Sequence, residues 1–285
     1  MPRSPQVFDL VNGDLAAGSL RSTCVRGQNF CVMYTEFTAG ETVTETVADE
    51  YLVLLAQAGA TLRITVGTGE TVLNEPGLVV VPPGTSHLSS DQACPVLRVF
   101  SARNDAVLAS AVNRAAYTVP DRGVAPLPQA PPTGPAGSVR VYPMSSIPSD
   151  SGRFGRIFRT EALMVNWFPP QEGPRDPEQL SPHVHEDFEQ ASVTLAGDYI
   201  HHFRTPWTPR LSEWRDDVSI RCSSPSVAVI PPGIIHTTRA VGEGTHHLVD
   251  VFAPPRIDFL ERGWVLNARE YTGTPDQEPR GEFVR

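Results

Sequence analysis

Between Ser181 and His236 the chain carries three imidazoles and a carboxylate, His183, His185, Glu189 and His236, that could serve as ligands of one metal ion. Side chains on a strand alternate between faces, so His183 and His185 point the same way, and Glu189, at a further even spacing, can join them. His236 follows Pro231-Pro232-Gly233, the composition of a tight turn, and so stands where another strand re-enters. Three neutral imidazoles and one carboxylate suit one divalent first-row ion, Fe2+, Mn2+, Ni2+, Co2+ or Zn2+, and would leave one or two coordination positions open. Open positions are where water or substrate binds, so the chemistry expected is metal-assisted.

Ligands so far apart in sequence need strands to bring them together. Phe30 to Phe37, Tyr51 to Leu55, Leu62 to Val66 and Leu78 to Val81 are short apolar, β-branched or aromatic runs with turn residues between the later ones, which predicts a sandwich or barrel. An internal repeat then divides the chain. Val79-Val80-Val81-Pro82-Pro83-Gly84-Thr85-Ser86-His87 matches Ala228-Val229-Ile230-Pro231-Pro232-Gly233-Ile234-Ile235-His236. Further on, Val99-Phe100 matches Val251-Phe252, and Asn113 to Tyr117 matches Asn267 to Tyr271. The copies differ chemically. Aligning Gly59 with Gly197 puts Glu45, Val47 and Tyr51 opposite His183, His185 and Glu189, and a slip of one residue gives Thr44, Thr46 and Glu50 instead. Either way the first copy keeps one carboxylate and one imidazole, too few to hold a divalent ion firmly. His87 is then expected as a pocket or core histidine and Glu45 as a solvated strand residue.

At these residues the sequence resembles the cupin superfamily. Its first motif is a glycine, five residues, His-X-His, three or four residues, Glu, six residues and a glycine; its second is a glycine, five residues, Pro-X-Gly, two residues, His, three residues and Asn. His183, His185, Glu189 and His236 fall on the ligand positions, and Pro231 and Gly233 on the turn. Pro177 and Pro225 replace the leading glycines, Gly197 comes one residue late, and Ala240 replaces the asparagine. The resemblance implies an all-β chain of two tandem jelly-roll barrels with a few short helices. It places a degenerate first barrel at 1–118, a Pro-rich linker or strap at 119–138, and a metal-holding barrel at 139–285. It also makes Fe2+ the favoured ion and dioxygenase chemistry on a small chelating substrate the leading expectation. Metal-dependent isomerisation, decarboxylation or lyase chemistry, and a non-catalytic small-molecule-binding bicupin, are the alternatives.

Composition narrows the partners. A net charge of -9 argues against a polyanion, and all 23 basic residues are arginine, which excludes Schiff-base, pyridoxal phosphate and P-loop lysine chemistry. Cys24, Cys31, Cys94 and Cys222 are scattered and read as reduced thiols. No apolar run reaches the length of a bilayer span and the N-terminus lacks an apolar signal core, so the expectation is a soluble, cytoplasmic protein. Its partner is a small-molecule substrate, with no nucleic acid and no membrane, and a homodimer is left open.

Around the metal ligands, His201 and His202 are the candidates for proton transfer, only one of which alternation allows inside, and Glu189 the candidate base. Tyr199 and Arg204, on the same run, are the candidate substrate contacts. Asp105 to Ala116 has helical spacing behind an Asn104-Asp105 start. The insertion from Thr205 to Asp217 carries Trp207 and Trp214 and reads as a lid, a subunit contact or ordinary loop packing.

Overall fold

The apolar runs form strands in both halves of a computed structural model that describes residues 3–11, 21–128, 137–148 and 155–271. The first half supplies β1 (Gln6–Asp9), β2 (Arg21–Arg26), β3 (Phe30–Phe37), β4 (Thr42–Val47) and β5 (Tyr51–Leu55). It continues with β6 (Leu62–Val66), β7 (Gly69–Leu73), β8 (Gly77–Val81), β9 (Gly84–Ser89), β10 (Cys94–Ser101) and helix α1 (Asp105–Ser110). The second half supplies β11 (Arg140–Pro143), β12 (Arg156–Arg159), β13 (Met164–Trp167), β14 (Gln171–Glu172) and β15 (Glu189–Ala196). After these come β16 (Asp198–Arg204), β17 (Val218–Ser223), β18 (Ser226–Ile230), β19 (Ile235–Val241), β20 (Thr245–Ala253) and helix α2 (Ile257–Glu261).

In the first barrel a sheet in the order β11-β8-β5-β10-β3-β2 faces one in the order β4-β9-β6-β7; in the second, β1-β18-β15-β20-β13-β12, with β14 beside β20, faces β17-β16-β19. The two large sheets pack back to back. Alternate residues of each central strand therefore serve different cores: on β8, Leu78 and Val80 join Val227, Val229, Val249 and Val251 between the barrels, while Val79 and Val81 fill the first barrel itself. Burial on both faces is why these strands read as continuous apolar runs rather than alternating ones.

Each barrel borrows its outermost large-sheet strand from the segment ahead of the other. β1 pairs with β18 of the second barrel, and β11 pairs with β8 of the first. Each crossing is fastened by the same three residue types. Glu50 accepts from Arg140 (2.7 Å) and from the Tyr271 hydroxyl (2.8 Å), while Glu189 lies 3.5 Å from the Arg3 guanidinium and accepts from the Tyr117 hydroxyl (3.2 Å). Boundaries drawn along the sequence at 118 and 139 do not express this crossing. Of the Pro-rich segment, 129–136 lie outside the described residues; ahead of them the chain is laid on the barrels, with Ala125 donating to the Asp187 carbonyl and accepting from Asn29 (both 2.7 Å).

The expected helix from Asp105 to Ala116 is interrupted. α1 ends at Ser110 because Ala111 is extended and Val112 donates to the Cys24 carbonyl of β2, before a 3-10 turn at Arg114–Tyr117. Among the described residues no helix is long and apolar enough to cross a membrane.

Candidate metal centre

His183 and His236 face each other across an antiparallel bridge, exchanging backbone hydrogen bonds of 3.0 and 2.8 Å, which sets their side chains on one face of the sheet. Gly233 closes the Pro231-Pro232-Gly233 turn at φ 78°, a conformation that favours glycine, and donates to the His185 carbonyl at 2.7 Å, bringing His185 alongside. One nitrogen from each of the three rings lies within 4.8 Å of the others.

Nδ1 of His183 lies 2.9 Å from the Ser181 carbonyl and Nδ1 of His236 lies 2.9 Å from the Ile234 carbonyl. A carbonyl only accepts, so both Nδ1 atoms carry the proton and both Nε2 atoms present a lone pair. The Nε2 of His236 is buried and has no protein partner. Burial, and then the neighbouring imidazoles and Arg256, lower the His185 pKa to about 3; burial, and then His183, lower that of His236 to about 4, against the hydrogen bonds that the rings give to the Gln190 amide oxygen and the Ile234 backbone respectively. Two neutral rings with Nε2 lone pairs, one of them orphaned, fit a divalent ion, and His185 joins them once an ion displaces the Nε2 proton that it now gives to the Gln190 amide oxygen.

Glu189 does not join them. Its expected place assumed unbroken alternation from His183, but residues 184–188 are outside any strand and β15 begins only at Glu189, so the two-residue period restarts there. Glu189 turns to the junction between the barrels, where it accepts from the Gln28 backbone N–H and from Tyr117. The inward residue is Gln190, whose Oε1 lies 2.8 Å from His185 Nε2. One signal in the sequence could have found it: with four residues rather than three after His185, Gln190 takes the position and Gly197 is no longer late. Gly197 has φ 86°, and the His246 ring packs where a Cβ would stand.

From Gln190 a hydrogen-bonded chain runs along the barrel interior, Nε2 to Ser192 Oγ (2.8 Å) and Oγ to Asp250 Oδ1 (2.6 Å). Burial pushes the Asp250 carboxyl up to about 7, against Ser192, Arg256 and Gln190, which favour the anion. A cavity of about 230 Å³ opens beside the centre, lined by His183, His236, Gln190, Asp250, Tyr199 and Arg175 among others. Arg175 is held there by the Thr238 and Gln179 carbonyls and the Ser181 hydroxyl. Sequence reasoning missed Gln190, whose place in the motif is taken by a residue that is not a carboxylate, and missed Ser192, Asp250 and Arg175, which belong to no recognisable short motif.

The other candidates separate. Tyr199 lines the cavity, with burial raising its phenol above the ordinary range. His201 faces inward, fully buried, with Nδ1 2.9 Å from the Thr238 hydroxyl, Nε2 unpartnered and its pKa lowered by burial to about 4; it is not among the residues lining the cavity. His202 faces the other way and binds Ser219, so it is not placed for proton transfer. Arg204 is a correction too: alternation turns it outward at the strand end, where it is exposed and paired with Asp217. Trp207 and Trp214 stack on each other at 4.3 Å, with Trp214 Nε1 donating to the Thr208 carbonyl.

In the first barrel His87 is neither core nor pocket. Along β9 the alternation buries Ser86 and Leu88 and leaves His87 exposed on the other face, where it meets Thr44. Glu45, expected to be solvated, is largely buried and ion-paired with Arg98.

No family model matches the sequence, and no curated protein matches it. Solved structures do. An oxalate decarboxylase of Lactobacillus farciminis, in a formate complex, superposes with a TM-score of 0.55 at 15% identity, covering 90% of each chain. A tryptophan-to-tyrosine variant of the oxalate decarboxylase of Bacillus subtilis gives 0.55 at 13% over 86% of this chain and 76% of that one. AerE from Microcystis aeruginosa gives 0.54 at 8% over 89% of this chain and 99% of that one. At such identities the likeness concerns architecture, and with the sheets and the crossing described above it establishes the fold: this chain is built of two cupin barrels in tandem.

Proposed function

We propose that the protein is a metal-dependent enzyme of the decarboxylase or lyase type, acting on a small carboxylate bound in the second barrel. The observation that carries this reading is the company the histidine trio keeps: one small cavity also lined by a guanidinium, Arg175, and a buried carboxyl, Asp250. The volume of about 230 Å³ suits a molecule of a few carbon atoms. A bound divalent ion would supply a Lewis acid that stabilises negative charge developing on a chelated substrate.

The chain's own residues supply the rest. Arg175 offers a planar fork for a carboxylate, and its three acceptors keep that fork in place. Ser192 and Asp250 present oxygen atoms that can hold and move a proton beside a carbon losing carbon dioxide. Apolar walls from Phe168, Leu248 and Ala240 limit bulk water. The oxalate decarboxylases among the structural neighbours support this alternative over the dioxygenase expected from sequence, since nothing in the cavity's residues selects oxygen chemistry.

The test is a panel of small mono- and dicarboxylates offered to the purified chain loaded in turn with Mn2+, Fe2+, Ni2+, Co2+ and Zn2+, with carbon dioxide release and oxygen uptake followed together. The reading expects release without uptake. Uptake equal to substrate loss would replace it with a dioxygenase, and saturable binding without turnover would replace it with a binding protein.

A further inference from the structure

We infer that the fourth protein donor of this centre is the carboxamide oxygen of Gln190, not a carboxylate, and that Ser192 and Asp250 hold the amide in its donating orientation. The inference rests on reading the trio as metal-holding, and is independent of the reaction carried out there.

Two neighbouring donors bound at right angles, each roughly 2.1 Å from one ion, stand about 3 Å apart. Gln190 Oε1 and His185 Nε2 are 2.8 Å apart, joined by the ring N–H, and an ion that displaces this one proton meets both atoms at the spacing of neighbouring donors. An amide presents an oxygen on one side and an NH2 on the other, and only the oxygen can give a lone pair to a cation. Which side faces the trio is decided further along the strand. The Ser192 hydroxyl has a single proton and gives it to Asp250, so toward Gln190 it can only accept, and the Gln190 NH2 must point to it. A flipped amide would set its oxygen against a hydroxyl oxygen whose proton is already used.

Glu189 cannot take over the role. Bringing it inward would turn β15 over by one residue, carrying Ala191 and Val193 out of the core between the barrels. Its partners at the crossing are matched by those of Glu50 in the first barrel, which has no histidine trio, so this carboxylate is accounted for by the junction alone.

The resulting donor set, three imidazoles and an amide, carries no charge. A bound ion keeps its full double charge for whatever enters the cavity, whereas a carboxylate donor would offset one unit. The ligand class favoured at the open positions is therefore a small anion.

The test uses the full chain stripped of metal, with circular dichroism to show that each variant is folded. Titration calorimetry gives the Mn2+ affinity, and the Mn2+ electron paramagnetic resonance spectrum gives the binding of formate to the loaded centre. Gln190→Ala should weaken metal binding by about tenfold or more, and Ser192→Ala by roughly several-fold with recovery in Ser192→Thr, while Glu189→Gln should stay within about twofold. Gln190→Glu should tighten metal binding and weaken formate binding by roughly tenfold, the two shifts in opposite directions. Unchanged affinity in Gln190→Ala, or an equal loss in Glu189→Gln, would overturn the assignment while leaving the trio in place. A wild-type chain that takes up no divalent ion would overturn both.

Discussion

Where the first barrel turns Tyr51, Val53 and Arg98 inward, the second turns Gln190, Ser192 and Asp250, at positions matched by strand pairing: Tyr51 and Gln190 lie opposite Val81 and Ile230, and Arg98 and Asp250 lie opposite Val53 and Ser192. The first interior is closed by bulk. Tyr51 stacks on Phe100, and the Arg98 guanidinium is bonded to Glu45, Thr35 and the Met33 sulfur. The second interior is given over to hydrogen-bonded polar groups around an open space. One strand plan accommodates both because the apolar residues between the barrels, on the opposite faces of the same strands, are alike in the two halves. A barrel with so polar an interior keeps its shape by packing against its filled neighbour.

The comparison is broken most directly at the histidines. Replacing His183, His185 or His236 with Ala should lower metal affinity by about a hundredfold or more, while His87→Ala leaves it unchanged, since an exposed histidine on the outer face has no part in the trio. Metal loading by elemental analysis decides it, and equal loss in the His87 variant would refute placing the centre in one barrel. In the first barrel the largest effect belongs to Arg98→Met, which strands Glu45 without its cation and should cost about 3 kcal/mol in denaturant unfolding. Metal binding in the second barrel should survive that change.

Acid should separate the halves as well. Burial lowers the pKa of His247 to about 4, helped by Arg156 and opposed by a hydrogen bond with the Phe168 backbone, and burial likewise lowers that of His201 to about 4, both from a value of 6.5. The unfolded chain binds their protons first, so the stability they allow is present above pH 6.5 and is lost as the pH falls through about 4. Each contributes up to about 3 kcal/mol to that loss. The first half holds only His87, so this histidine-linked part of the acid sensitivity belongs to the second barrel, and His247→Phe should flatten the slope of unfolding free energy against pH. Smaller and equal losses test the crossing. Tyr117→Phe and Tyr271→Phe each remove one hydroxyl from a buried glutamate, and each should cost about 1 to 2 kcal/mol, additively in the double variant. The smallest change is Arg204→Ala, which removes an exposed, solvent-screened ion pair and should leave both the denaturant midpoint and metal loading unchanged.

The two barrels and the three histidines were legible because a repeat and a spaced motif both survive in the sequence. What could not be read is instructive at three places. The identity of the fourth inward residue depended on where a strand starts, and the irregular stretch at 184–188 removes any count from His183. His87 aligned with His236 residue for residue, yet His87 is exposed on β9 while His236 is buried on β19, a difference of facing that residue matching does not carry. Arg98 and Asp250 sit inside otherwise apolar strands, where neither residue type suggests which barrel is filled and which is open; only the opposing strands do.

The crossing of β1 and β11 also bears on how the molecule could be divided. Separately expressed halves would each leave a large sheet with an unpaired margin, at β8 in one and β18 in the other, and each would carry a spare strand shaped for its counterpart. Bare margins of that kind invite aggregation, so each piece alone should be insoluble, and producing the pieces together should yield a complementing pair.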